Sequence, residues 1–156
     1  GTFYISFALR LNGTDDDMIA MCGLKSSTLG ETLIAGVEGG SWQISGSAGT
    51  ATGTVTSRSR THFVVLRIDA SGQNPDYVWM KHYDSASETV HSDDSQLIGV
   101  GPGINQWDLV SSGADGSGNF DQLFIRAGGN RTFFSNSKVE LDEIRVGRSW
   151  LDVTGL

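Results

Sequence analysis

The sequence predicts an all-β protein, a single antiparallel sandwich of two sheets. Three observations carry this. Gly supplies 21 of 156 residues and Pro only 2, while stretches rich in the helix-favouring Ala, Leu, Glu and Lys are few. Apolar residues alternate at period 2 in short runs. Turn-forming residues punctuate those runs at the spacing of sandwiches and barrels. The length suits one domain, residues 1–156, with a sizeable core.

The first strand is the clearest. Phe3, Ile5, Phe7, Leu9 and Leu11 fall on one face, and Tyr4, Ser6, Ala8 and Arg10 on the other. Asn12-Gly13 then marks a turn, prolonged by Asp15-Asp16-Asp17. Met18–Leu24 is mostly apolar and reads as a strand buried on both sides, and Thr32–Val37 and Trp42–Ile44 read as short strands around Gly39-Gly40. Residues 45–61 are rich in Ser, Thr and Gly, but Thr50, Thr52, Thr54 and Thr56 recur at period 2, which favours a polar ribbon over a flexible linker.

Strong strand patterns follow. In His62–Asp69, Val64, Leu66 and Ile68 share one face, and Phe63, Val65 and Arg67 the other. Ser71–Pro75 is a turn, Tyr77–Tyr83 a strand, and the polar residues 84–96 a loop. Gln106–Ser111 and Phe120–Ala127 are further strands, and Val139–Val146 is the last, followed by a tail over Ser149–Val153. No segment makes a convincing helix. In the last strand Val139 and Leu141 are odd-numbered, whereas Ile144 and Val146 are even-numbered. A period-2 strand changes parity only by inserting a residue, so a β-bulge is expected at Asp142-Glu143. A strand pattern begins almost at residue 1, so the sequence reads as an excised piece of a longer chain, lacking one or more upstream strands.

Charge and motifs narrow the function. Eleven Lys and Arg against eighteen Asp and Glu give a net charge of −7, the opposite of a nucleic-acid-binding balance. No apolar run approaches the roughly 20 residues of a membrane-spanning helix. The single cysteine, Cys22, excludes an internal disulfide framework and a cysteine zinc cluster. His62, His82 and His91 are scattered, without a Ser, Cys or Asp at catalytic spacing, and G-x-S-x-G, H-E-x-x-H and nucleotide-loop motifs are missing. The expectation is a protein without catalysis.

Several pieces occur in an order that resembles a known family. They are Thr2-Phe3-Tyr4-Ile5-Ser6-Phe7, Thr61-His62-Phe63-Val64-Val65, Phe120-Asp121-Gln122-Leu123, and the closing run Leu141-Asp142-Glu143-Ile144-Arg145-Val146-Gly147-Arg148-Ser149-Trp150 with Asp152-Val153-Thr154. Together they resemble the concanavalin A-like lectin/glucanase jelly roll, in the laminin-G-like variety of secreted bacterial surface proteins, over about residues 3–154. The closing run is the most specific part. The resemblance implies a jelly roll, a secreted or cell-surface setting and frequently a structural Ca2+. It does not fix a function, because the fold hosts lectins, hydrolases, lyases and spacers. The E-x-D-x-x-E triplet of its glucanases is missing here.

Candidate sites follow. The resemblance places calcium at Asp142, where the bulge also points; the other reading is a solvated Asp. Asp115, Asn119 and Asp121 belong to a loop with oxygen side chains at alternate positions, but Phe120 and Arg126 stand where a helix–loop–helix calcium site needs Gly and Glu, so an ordinary polar loop is the competing reading. On Tyr77–Tyr83, Tyr77, Trp79, Lys81 and Tyr83 share a face that the family pattern turns outward. Such a face suits stacking on a pyranose ring with Lys81 as a polar contact, or packing under the 84–96 loop or a neighbouring domain. The partner is thus a glycan or another protein chain, with a homo-oligomer formed through the stripe or through an open strand edge near Phe3.

Overall fold

The computed structural model of the chain describes residues 1–12, 18–28, 32–46, 49–54, 60–70, 76–84, 86–112, 120–129 and 138–156. Among the described residues stand ten strands: β1 (Thr2–Asn12), β2 (Met18–Lys25), β3 (Thr32–Glu38), β4 (Ser41–Gly46), β5 (Gly49–Thr54), β6 (Thr61–Asp69), β7 (Tyr77–Asp84), β8 (Leu109–Ser112), β9 (Gln122–Gly129) and β10 (Lys138–Gly147). They form two antiparallel five-stranded sheets, in the orders β10-β1-β6-β7-β8 and β5-β4-β3-β2-β9. The two-sheet sandwich expected from alternation is the observed fold.

The core follows the period-2 rule. Ile5, Phe7, Leu9 and Leu11 of β1, with Val64, Leu66 and Ile68 of β6 and Val78 and Met80 of β7, form the inner face of the first sheet. Ala20 and Cys22 of β2, Ala35 and Val37 of β3, and Trp42 and Ile44 of β4 face them from the second sheet. Strand β2 is buried on both sides as its composition predicts, with Ile19 and Met21 packed beside Ile34 on the outer face. Gly36 lies where a Cβ would stand 2.1 Å from the Ala20 carbonyl oxygen, so only glycine lets β2 and β3 approach this closely.

A further layer covers much of the first sheet's outer face. Leu97 and Trp107 from the β7–β8 connection, and Trp150 and Val153 from a C-terminal helix, pack on Tyr4, Val65 and Tyr83. That helix, α1 (Trp150–Thr154), occupies the segment expected to be an irregular tail. Ser149 caps it by accepting from the Asp152 amide, and Asp152 answers with its side chain in a capping box. The connection is otherwise irregular apart from a 3-10 turn at Asp94–Gln96, pinned where Asp94 accepts from the Tyr4 hydroxyl (2.8 Å) and Arg67 Nη1 (3.0 Å).

Three further expectations are refined. The polar ribbon survives as β5, while residues 47–48 and 55–59 lie outside the described residues. Strand β8 begins at Leu109, because Trp107 makes an isolated parallel bridge with Val100 and the chain bends at Asp108. The bulge in β10 is present: Ser6 pairs with Arg145 and Ala8 with Asp142, leaving Glu143 and Ile144 opposite Phe7. Glu143 takes φ of 52°, a left-handed conformation.

Candidate functional site

Polar side chains from both sheets converge at the seam where β4 and β5 face β7 and β8. A groove of about 430 Å³ opens there, walled by Trp42 and Thr52 on one side and by Lys81, His82 and Asp108 on the other. Glu88 and Pro102 of the β7–β8 connection complete its rim. The strand alternation that buries Met80 places His82 on the same inner face, at the end of the core, while Lys81 points the other way and reaches Asp108 along the sheet edge.

Asp108 organises the groove. Its amide donates to the Met80 carbonyl at 2.9 Å, tying the entry of β8 to β7. Its carboxylate accepts from Lys81 Nζ at 3.1 Å and from the His82 amide at 2.7 Å, and lies 3.7 Å from His82 Nε2. Lys81 is only 2 % exposed, so its charge depends on this carboxylate for compensation. Glu88 accepts from the Asp84 amide at 2.9 Å.

A ring cluster underlies these groups. His82 stacks on Trp42 with centroids 4.4 Å apart and planes at 14°, and His62 meets both rings edge-on at 5.2 and 5.8 Å. Trp42 Nε1 and His82 Nδ1 are buried without a hydrogen-bond partner among the described residues. Burial lowers the His82 pKa below the usual histidine value; Asp108 pulls it upward, and His62 and Lys81 add to the lowering.

The face carrying Tyr77, Trp79, Lys81 and Tyr83 is covered over much of its length. Lys81 is enclosed with Asp108, and Tyr83, 1 % exposed, pairs through its hydroxyl with His91 Nδ1 at 3.0 Å. Burial raises the Tyr83 hydroxyl pKa well above its ordinary value. Trp79 is half-buried against Trp107 and donates to Asp69 at 3.2 Å. Tyr77, stacked on Trp79 with centroids 6.2 Å apart, keeps 40 % of its surface exposed. The covering comes from the β7–β8 connection and α1, so of the expected aromatic stripe the Tyr77 end stays open.

The calcium candidates separate in space. Asp142 accepts from the Glu143 amide at 2.8 Å, while neighbouring Glu140 and Glu143 pair with Lys138 and Arg145. Asp121 accepts from the Ser27 amide at 2.8 Å and from the Ser27 hydroxyl. Asp115 and Asn119 lie outside the described residues. Among the described residues no group of three or more His, Cys, Asp or Glu side chains is arranged to hold a metal ion.

Trp42, His62, His82, Asp108 and Glu88 were not singled out as a site by the sequence pattern. His62 and His82 looked scattered because twenty residues separate them. The β6–β7 register pairs Val64 with His82 and places His62 diagonally beside it. Their shared even parity with Val64 and Val78 was the signal available. Cys22 is buried in the core, and its burial pushes the thiol pKa up to about 11. Neither a protein-family model, a curated protein nor a solved structure matches the chain.

Proposed function

We propose that the chain is a non-catalytic, extracellular carbohydrate-binding or adhesion module whose ligand occupies the groove beside Asp108. The observation that carries this reading is the convergence of Lys81 and His82 of β7 with Glu88 and Asp108 of the β7–β8 connection around one groove of about 430 Å³, opposite Trp42 and Gly53 of the second sheet. That volume lies within the range of small-ligand sites, roughly 300–1,000 Å³. A sugar presents hydroxyls that donate and accept, together with apolar C–H surface. Carboxylates and an ammonium beside Leu109 and Pro102 match that mixture. Both groove carboxylates already hold backbone amides, Asp108 that of His82 and Glu88 that of Asp84, an arrangement suited to holding a ligand in fixed geometry. The resemblance to concanavalin A-like domains points the same way, with a secreted or surface setting.

The test is a glycan array read with wild type, Pro102→Trp and Tyr77→Ala. Pro102 is exposed on the groove's rim, so a large ring there obstructs the groove without entering the core. The reading expects glycan binding that Pro102→Trp abolishes and Tyr77→Ala leaves intact, with unchanged melting temperatures. Binding lost only in Tyr77→Ala moves the site to the open end of the aromatic stripe. No binding to any glycan by folded wild type overturns the module reading.

A further inference from the structure

The two flanks of the sandwich differ. On one, β5 approaches β8, and Leu109 of β8 packs over Gly53, where a Cβ would stand 3.0 Å from the leucine side chain. On the other stand β9 and β10; like β5 and β8, each is paired on one side only among the described residues. The anticipated open edge near Phe3 is confined to the first residues of β1, which pairs with β6 from Thr2 and with β10 from Tyr4.

The inner faces at this flank are not sealed. In the β2–β9 register Leu123 pairs with Leu24 and Ile125 with Cys22, so both side chains of β9 point to the core side of the sheet. They are nevertheless 50 % and 47 % exposed. Val146 of β10, paired with the core residue Ile5, is 57 % exposed. It lines an apolar groove of about 480 Å³ with Phe3, Leu24 and Phe120. Residues that the pleat directs inward are thus left in water on both sheets.

The edges of β9 and β10 differ in their protection. Strand β10 carries a bulge, a left-handed Glu143 and five charged residues, devices that discourage strand addition. Strand β9, QLFIRAGG, has no proline and a single charge, Arg126, which Glu38 neutralises at 2.9 Å. Its pattern is also complementary to itself. When two β9 strands run antiparallel about Ile125, Ile125 meets its own copy, Leu123 meets Ala127, and Arg126 meets Phe124, so that no like charges oppose and each guanidinium faces an aromatic ring.

We propose that β9 pairs with β9 of a second copy of this chain across a two-fold axis, joining the two second sheets into one continuous ten-stranded sheet. Main-chain groups on the free edges satisfy one another, and Leu123 and Ile125 of both copies leave water together. The chain's charge of −7 opposes association at long range, and ordinary salt screens it, while the contact itself carries no net charge.

Light scattering coupled to size exclusion, run from micromolar to millimolar protein, tests this alongside two variants. Wild type is expected to show a dimer fraction that rises with concentration. Ile125→Lys, a substitution at a half-exposed edge position, should remain monomeric with a wild-type circular dichroism spectrum. Independently, Ile125→Cys should cross-link to a covalent dimer under mild oxidation, because the two-fold places the residue opposite itself within disulfide reach. Leu123→Cys, whose symmetry mate is displaced by four positions, should cross-link at least tenfold more slowly. Three results would each overturn the proposal: a monomer at every concentration, an Ile125→Lys dimer as abundant as wild type, or equal cross-linking at the two positions.

Discussion

His82 illustrates how a single ring links packing to acidity. Burial against Trp42 holds its pKa below the ordinary 6.5 of histidine. Above pH 6.5 folded and unfolded chains both carry it neutral, and its contribution to stability is whole. Below 6.5 the unfolded chain takes up the proton first, so stability falls until the pH drops beneath the folded value. Thermal melts of wild type and His82→Gln between pH 7.5 and 5 should show a steeper loss in wild type; parallel curves would remove His82 as the cause. Asp108 is the other decisive residue. Asp108→Ala strands the Lys81 ammonium, 2 % exposed, and removes the acceptor of the His82 amide. The expected cost is about 2–4 kcal/mol in chemical denaturation, with Lys81→Met/Asp108→Ala recovering part of it.

Elements show where the sequence was legible. Alternation in β1 and β6 revealed their inner faces, because nothing competes with the period-2 signal when one face is wholly apolar. The bulge in β10 was readable for the same reason, as a parity change between Leu141 and Ile144. Its left-handed Glu143 stores strain of roughly 1–2 kcal/mol. Glu143→Gly should therefore raise the melting temperature by about 2–4 °C, the shift expected from ~1 kcal/mol in a domain of this size. The helix α1 escaped detection because its five residues are too few to display a 3.6-residue period. Only the Ser149-x-x-Asp152 capping pair announced it, with aspartate in place of the usual glutamate. Ser149→Ala should cost about 1 kcal/mol by removing that cap. The covering of Tyr83 and Lys81 was illegible for another reason: it depends on where a long irregular connection lies, and such a path has no periodicity to read.

At the scale of the whole molecule, three strata replace the two that the sequence announced. The added stratum rests on the outer face of the first sheet and is held by Trp107, Trp150 and Val153 together with polar clasps at Asp94 and at His91, whose carbonyl accepts from Trp150 Nε1 at 2.7 Å. The candidate groove exists because this stratum ends beside β8: the segment that hides the aromatic stripe also supplies Glu88, Pro102 and Asp108 to the seam. Trp150→Ala should release it, at about 3–5 kcal/mol. Hydrogen exchange would then be expected to quicken in residues 86–108 before the central strands, and uniform acceleration throughout would contradict this layering.

Pairing of β9 with its own copy limits how far such an assembly can grow. Head-to-tail contacts thread particles into fibres of indefinite length, whereas one self-complementary border joined about a two-fold axis terminates after a single symmetric encounter. Electron micrographs of concentrated protein should accordingly show discrete twinned particles about two sandwiches wide and no filaments. That geometry would present two copies of the candidate groove on one rigid body.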